Sequence, residues 1–217
     1  MKIDRLVLGE FETNCYILRS SDKATDCLII DTGLDARELL TFLERNKLTP
    51  KALIITHGHI DHIAGVEKLR AKYPDIAVYI HKLDAETLTD SMSNLSFMLD
   101  STDSQTERSF STEKADYLVD EPDVIEAAGI KLKVIHTPGH TPGGICLYCE
   151  KENVVFVGDT LFADSVGRTD FPGGNMRQLI EGIKNKLLTL PDDTVVYPGH
   201  GNRTTIGREK THNPFLY

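Results

Sequence analysis

No stretch of this sequence is apolar for long enough to cross a bilayer, which takes about 20 residues, so a helical membrane protein is not expected. Basic residues are scarce: 24 Lys and Arg stand against 33 Asp and Glu, a formal charge of −9. A nucleic-acid partner needs a basic face, and an anionic membrane surface selects for one too; neither partner is expected. The first residues, MKIDRLVLGEFETN, carry charges where a secretory leader would be apolar, so they do not read as a signal peptide and the expected location is cytoplasmic. Cysteine is limited to Cys15, Cys27, Cys146 and Cys149. The last two form C-x-x-C, but within the apolar run GICLYCE and without a second pair at zinc-ribbon spacing. In a strand those thiols face opposite sides. All four read as small hydrophobes of a reducing compartment. No internal repeat or coiled-coil pattern is present, and 217 residues suit a single domain, 1–217.

What is present centres on Lys51 to His62, KALIITHGHIDH. Its first half, Ala52 to Ile55, is an apolar run that reads as a buried strand. The strand ends in three histidines and an aspartate, which are costly to bury without a partner. His57 and His59 are two apart, so an extended loop points both imidazoles the same way. Asp61 and His62 fall where a helix should begin, since Ile63, Val66, Leu69 and Tyr73 repeat near helical spacing. Imidazoles with a carboxylate suit zinc, iron or manganese rather than calcium.

Along the chain, residues 2–8, 15–19 and 27–31 read as strands. Asp35 is placed to cap a helix through Asn46, with Leu39, Leu40 and Leu43 as its buried stripe. A strand at Ile76 to Ile80 leads to His81, read as structural or superficial. Residues 90–115 are rich in Ser, Thr and charge without sustained period, which suggests a mobile loop or lid. Strands are expected at Val119 to Ala128 and Ile130 to Ile135, then at Ile145–Tyr148, Val154–Val157 and Thr194–Tyr197, with a helix over Met176 to Leu188. Strands with inserted helices in two halves fit an α/β (α+β) fold of two packed sheets with helices outside.

His140, Asp159 and His200 each follow an apolar strand and a glycine, as the first cluster follows its own strand. Five imidazoles and two carboxylates exceed one tetrahedral zinc but suffice for two metals sharing a carboxylate. His136, inside its strand, reads as structural or as a support to the ligands.

The motifs T-H-x-H-x-D-H, G-H-T-P-G, G-D-T and Y-P-G-H together resemble the metallo-β-lactamase superfamily. Within it they are similar to glyoxalase II (hydroxyacylglutathione hydrolase) and its single-domain relatives. The resemblance implies an αββα sandwich of two mixed sheets, with two divalent metals at one edge: zinc first, iron or manganese as alternatives. It implies His57, His59 and His140 on the first metal, Asp61, His62 and His200 on the second, and Asp159 between them. Glyoxalase II carries an extra C-terminal helical region that contacts glutathione, whereas the tail TTIGREKTHNPFLY resembles the shorter branch, so that region is not expected here.

The leading expectation is hydrolysis of a small thiolester, S-lactoylglutathione or that of a similar thiol, by a metal-bridged hydroxide with no catalytic residue apart from the ligands. A thiolate, of ordinary thiol pKa about 8.5, leaves without a strong acid. Arg168 could hold a substrate carboxylate bidentately, or could pair with Asp170 or Asp164. The alternative is a mononuclear-iron persulfide dioxygenase, which SVGRTDFPGG also resembles, although that group reads Y-P-A-H-D where this chain has Tyr197-Pro198-Gly199-His200-Gly201.

Overall fold

The computed structural model describes residues 1–99 and 110–217. The chain opens with β1 (Lys2–Leu8), paired antiparallel with β2 (Thr13–Arg19), which pairs antiparallel with β3 (Asp26–Ile30). Helix α1 (Arg37–Arg45) crosses to β4 (Thr49–Ile54), parallel to β3. Helices α2 (Ile60–Ile63) and α3 (Val66–Lys72) lead to β5 (Ala77–His81), and β6 (Tyr117–Val119) closes the first sheet, in the order β1-β2-β3-β4-β5-β6. The second sheet takes β7 (Val124–Ala127), β8 (Ile130–His136), β9 (Ile145–Cys149) and β10 (Val154–Gly158). A small hairpin of β11 (Leu161–Phe162) and β12 (Ser165–Val166) and helix α4 (Met176–Gly182) follow. Then come β13 (Val195–Pro198), β14 (Thr204–Thr205) and α5 (Ile206–His212), giving the order β14-β13-β10-β9-β8-β7.

Three apolar layers hold the sheets. Ile17, Ile29, Leu53 and Val78 meet Leu39 and Leu43 of α1 and Val66 and Leu69 of α3. The alternate residues of the same strands, Leu18, Leu28 and Ile54, face Leu132, Leu147 and Phe156 of the second sheet. That sheet's far side, Cys146, Val155 and Val196, packs on Leu179 of α4 and Ile206 of α5. This is the expected αββα sandwich. Cys146 and Cys149 fall in different layers, on opposite faces of β9, and all four cysteines are buried free thiols.

Four local readings change. The helix expected after His62 is broken at Gly65, whose N–H donates to Thr32 Oγ1 at 2.9 Å. A Cβ there would lie 2.7 Å from that of Thr32, so only glycine allows the approach. Residues 119–128 are not one strand. Asp120 to Asp123 carry the chain from one sheet to the other, with Pro122 unable to donate a ladder bond and Asp123 Oδ2 accepting from Asp120 N–H at 2.9 Å. Asp35 lies one residue outside the N-cap position of α1, held by Ala36, and accepts from the Arg37 N–H at 3.0 Å. The helix from Met176 keeps α geometry only to Gly182 and ends in a π-type turn, Ile183–Leu187.

Candidate metal centre

The seven residues singled out lie beyond the C-terminal ends of four strands and come together at one rim. His57 and His59 follow β4, and Asp61 and His62 lie on α2. His140 follows β8, Asp159 follows β10 and His200 follows β13. Their donor atoms fall into three overlapping groups: His57, His59, His140; His57, His62, Asp159; and Asp61, His62, His200, each within 4.8 Å. His140 Nε2 is 3.2 Å from His57 Nε2, and His62 Nε2 is 3.4 Å from His200 Nε2. Asp159 stands between them, with Oδ2 3.6 Å from His140 Nε2 and 3.4 Å from His200 Nε2, and Oδ1 3.6 Å from His62 Nε2. Asp61 Oδ2 is 3.3 Å from His62 Nε2 and 3.2 Å from His200 Nε2.

The tautomers are set from behind. His62 Nδ1 donates to Asp31 Oδ2 at 2.9 Å, His140 Nδ1 to the Arg168 carbonyl at 2.8 Å, and His200 Nδ1 to the Phe11 carbonyl at 2.9 Å. The single Thr56 hydroxyl proton goes to Asp31 Oδ2 at 2.8 Å, so His57 Nδ1 at 3.1 Å donates to Thr56 Oγ1. Four imidazoles thus turn an Nε2 lone pair toward the centre, the arrangement that supporting hydrogen bonds impose on metal-binding histidine. Lone pairs facing one another at such distances need positive charge between them. Asp159 Oδ1 is buried with no hydrogen-bond partner, a second sign that a cation belongs there.

The electrostatics agree. Burial, then the neighbouring imidazoles His62 and His140, push His57 well below the usual histidine range and leave it neutral. His59 is pushed down to about 3 by burial and then His140. Burial would also depress His200, but its bonds to Asp159 and Asp61 outweigh it and raise the ring to about 10. Without metal, the carboxylates recruit protons onto His200 and His62. Divalent ions would compete for the same positions.

Several supporting residues escaped the sequence reading. Thr13 and Asn14 fall outside the strand expected at 15–19, but both are buried in β2. Thr13 Oγ1 donates to Asp61 Oδ2 at 3.0 Å, Asn14 Nδ2 donates to the Pro198 carbonyl at 2.8 Å, and the Tyr16 hydroxyl donates to the same carbonyl at 2.6 Å. The first sheet thereby clamps the loop of His200. Asp84 accepts from Gly58 N–H at 3.1 Å, Thr141 Oγ1 at 2.7 Å and Gly143 N–H at 2.6 Å, tying the His57–His59 loop to the His140 loop. Burial raises its pKa against those three bonds. The only sequence signal for these residues is a polar side chain interrupting an apolar run.

Arg168 lies in the wall of the cavity over the cluster, and its Nε and one terminal nitrogen hold Asp170 at 2.7 Å each. Its guanidinium also lies 3.9 Å from the Phe171 ring centroid. Asp164 pairs with Arg208 instead. His136 sits apart from the seven, stacked on buried His81 at 4.1 Å beside Asp120. Leu83 N–H donates to His81 Nδ1, so Nε2 carries the proton toward Asp120; His136 Nε2 meets the Pro142 carbonyl at 2.9 Å. Two of that group's donor atoms are thus spent on hydrogen bonds, a structural arrangement.

Of the segment 90–115 read as a lid, residues 100–109 lie outside the described residues. Its flanks are pinned: Asn94 is buried, its carbonyl accepts from Ile60 N–H at 2.9 Å and its amide donates to the Thr87 and Phe110 carbonyls. Leu95, Met98 and Leu99 from those flanks line the cavity, which measures about 630 Å³ and has His59, Asp61, His140, Asp159 and His200 along its floor.

This fold and cluster define a metallo-hydrolase. The chain belongs to the metallo-beta-lactamase superfamily, whose family model matches residues 8–200. Hydroxyacylglutathione hydrolase GloC of Haemophilus influenzae is 35% identical over 222 residues, covering 100% of this chain and 98% of the relative. The solved structure of BLEG-1, a B3 metallo-beta-lactamase, superposes with a TM-score of 0.89 at 40% identity, covering 99% of each chain. TTHA1623, solved in a di-iron-bound form, gives 0.81 at 32% identity, covering 98% of this chain and 100% of that one. No helix among the described residues is long and apolar enough to cross a membrane.

Proposed function

We propose that the protein is a dinuclear metal-dependent thiolesterase acting on S-acylglutathione, such as S-lactoylglutathione, or on the thiolester of a similar small thiol. The observation that supports it is the pair of lone-pair groups sharing Asp159. His57, His59 and His140 would hold one ion, Asp61, His62 and His200 the other, and Asp159 both. Donor separations of 3.2–3.6 Å match the ligand–ligand edge of about 3.4 Å expected around a tetrahedral ion with bonds of about 2.1 Å. Imidazole and carboxylate donors suit zinc, with iron or manganese as the alternatives; the di-iron form of TTHA1623 shows that a relative accepts iron.

When bound, such ions supply a water nucleophile at neutral pH and polarise a carbonyl. The chain does the rest. Asp31, Thr56 and the carbonyls of Arg168 and Phe11 keep the imidazoles aimed inward. Asp61, at the cavity floor, stays a carboxylate: burial would raise its pKa, but His62 and His200 hold it far below the usual range, and Thr13 Oγ1 fixes its orientation at 3.0 Å. Phe171, edge-on to His59, and Leu95, Met98 and Leu99 from the flanks of the 90–115 segment line the approach to the cluster. Arg168 presents the terminal nitrogen not bonded to Asp170 as a contact for a substrate carboxylate. A thiolate needs no further acid.

The likeness to BLEG-1 favours β-lactam hydrolysis as a second reading. One panel separates them: thiol release from S-lactoylglutathione, ring opening of a chromogenic cephalosporin, and oxygen uptake on glutathione persulfide, each with zinc-, iron- or manganese-loaded protein. Thiol release should dominate by kcat/KM. A larger value for the cephalosporin, or oxygen uptake without thiolester turnover, would overturn the proposal.

A further inference from the structure

The floor of the cavity is charged, yet its walls, Arg168 apart, are largely apolar. Phe11 from the β1–β2 turn, Leu95, Met98 and Leu99 from the segment after β5, Phe162 of β11 and Phe171 from the loop after β12 surround it. These side chains come from the loops of both sheets, so the apolar wall is not an accident of one element. Phe11 is 51% exposed and Met98 56% exposed, so apolar surface faces the cavity mouth. Contiguous exposed apolar surface of this kind marks a binding groove, and about 630 Å³ lies within the range of small-molecule sites, roughly 300–1,000 Å³. Among the described lining residues, Arg168 is the one cationic side chain outside the imidazole cluster. Two of its nitrogens are held by Asp170 and its face is covered by Phe171. A small, hydroxylated acyl group on an anionic tripeptide would leave most of this wall unused.

Building on the thiolesterase reading, we infer that the favoured substrate carries an apolar alkyl or aryl limb beside the scissile bond, seated against Phe11, Leu95, Met98, Phe162 and Phe171. The limb is either the acyl chain or the body of the thiol, and two series distinguish these sources. The acyl series is S-acetyl-, S-butanoyl- and S-hexanoylglutathione; the thiol series is S-ethyl, S-butyl and S-hexyl thioacetate. In one of them kcat/KM should rise about fourfold per added methylene until the cavity is filled. Binding is measured separately by calorimetry with S-methyl-, S-butyl- and S-hexylglutathione and with methyl hexyl sulfide, which have no thiolester to hydrolyse. Met98→Gln and Phe162→Ala should flatten the dependence on chain length. If thiolesters turn over with flat kcat/KM in both series, the apolar site is wrong while the thiolesterase reading stands. If no thiolester turns over but thioether affinity climbs with chain length and Met98→Gln flattens it, the apolar site stands and the reaction was misread. Affinity that ignores chain length in that case overturns both.

Discussion

At the scale of single residues, the side chains behind the cluster carry as much of the site as those facing it. Asp84 is the clearest case, because one buried carboxylate accepts three hydrogen bonds from two metal-side loops. Asp84→Ala would strand two buried N–H groups and a hydroxyl, costing on the order of 3 kcal/mol and roughly 6–12 °C in melting temperature. Asp84→Asn keeps an acceptor oxygen but turns a donor against a donor, so it should lose less stability and still weaken metal binding. Thermal melts of metal-free protein beside zinc titrations read the two effects separately; unchanged zinc affinity in Asp84→Ala would remove its positioning role. Arg168 poses the converse question, since its fork is engaged by Asp170. Bonding to Arg168 pulls Asp170 down to about 2. A carboxyl lowered on folding adds stability above its unfolded pKa, about 3.9, and loses it as pH falls through the folded value. Carbon-detected NMR should therefore find Asp170 titrating near 2 in the wild type and near its ordinary value in Arg168→Ala, with little change in stability because the pair is exposed. If Arg168 also holds substrate, Arg168→Lys raises KM for carboxylate-bearing thiolesters over carboxylate-free ones. An unchanged ratio leaves it a partner of Asp170 alone.

At the scale of elements, the buried thiols give a direct check on strand packing. Burial raises Cys146 to about 11 and Cys27 to about 12, and holds Cys15 well above the ordinary thiol range. The thiolate is the reactive form, so native protein at pH 8 should resist iodoacetamide at these positions, and all four cysteines should react in denaturant. Rapid alkylation of Cys146 in the native state would mean that β9 is not packed as described. The apolar runs of β2 to β5 and of β8 to β10 were legible because their core positions dominate their composition. The seven residues that the structure brings together stood out as candidates because glycine-bounded strand ends announce them. What stayed hidden depends on the other sheet. Thr13 and Asn14 look like turn residues until the His200 loop is laid across them. Residues 119–128 look like one strand, because periodicity cannot report that Tyr117–Val119 pairs with β5 while Val124–Ala127 pairs with β8. The break between α2 and α3 rests on the contact of Gly65 with Thr32, thirty-three positions away.

At the scale of the whole molecule, the site is the seam between the two halves of the sandwich. His57, His59, Asp61 and His62 come from the first sheet's rim, and His140, Asp159 and His200 from the second's. Metal bound there ties the sheets together, so binding adds to folding stability. At zinc a thousandfold above its dissociation constant the gain is about 4 kcal/mol, which for a chain of this size is roughly 8–16 °C. Chelation should lower the melting temperature by that order, and zinc should restore it. The most direct measurement is metal content per chain after saturation with zinc and desalting. The wild type should hold about two equivalents, His200→Ala about one, and Asp159→Ala close to none, because Asp159 alone stands between both groups of donors. One equivalent in the wild type, or two retained in Asp159→Ala, would contradict a paired centre built on that carboxylate.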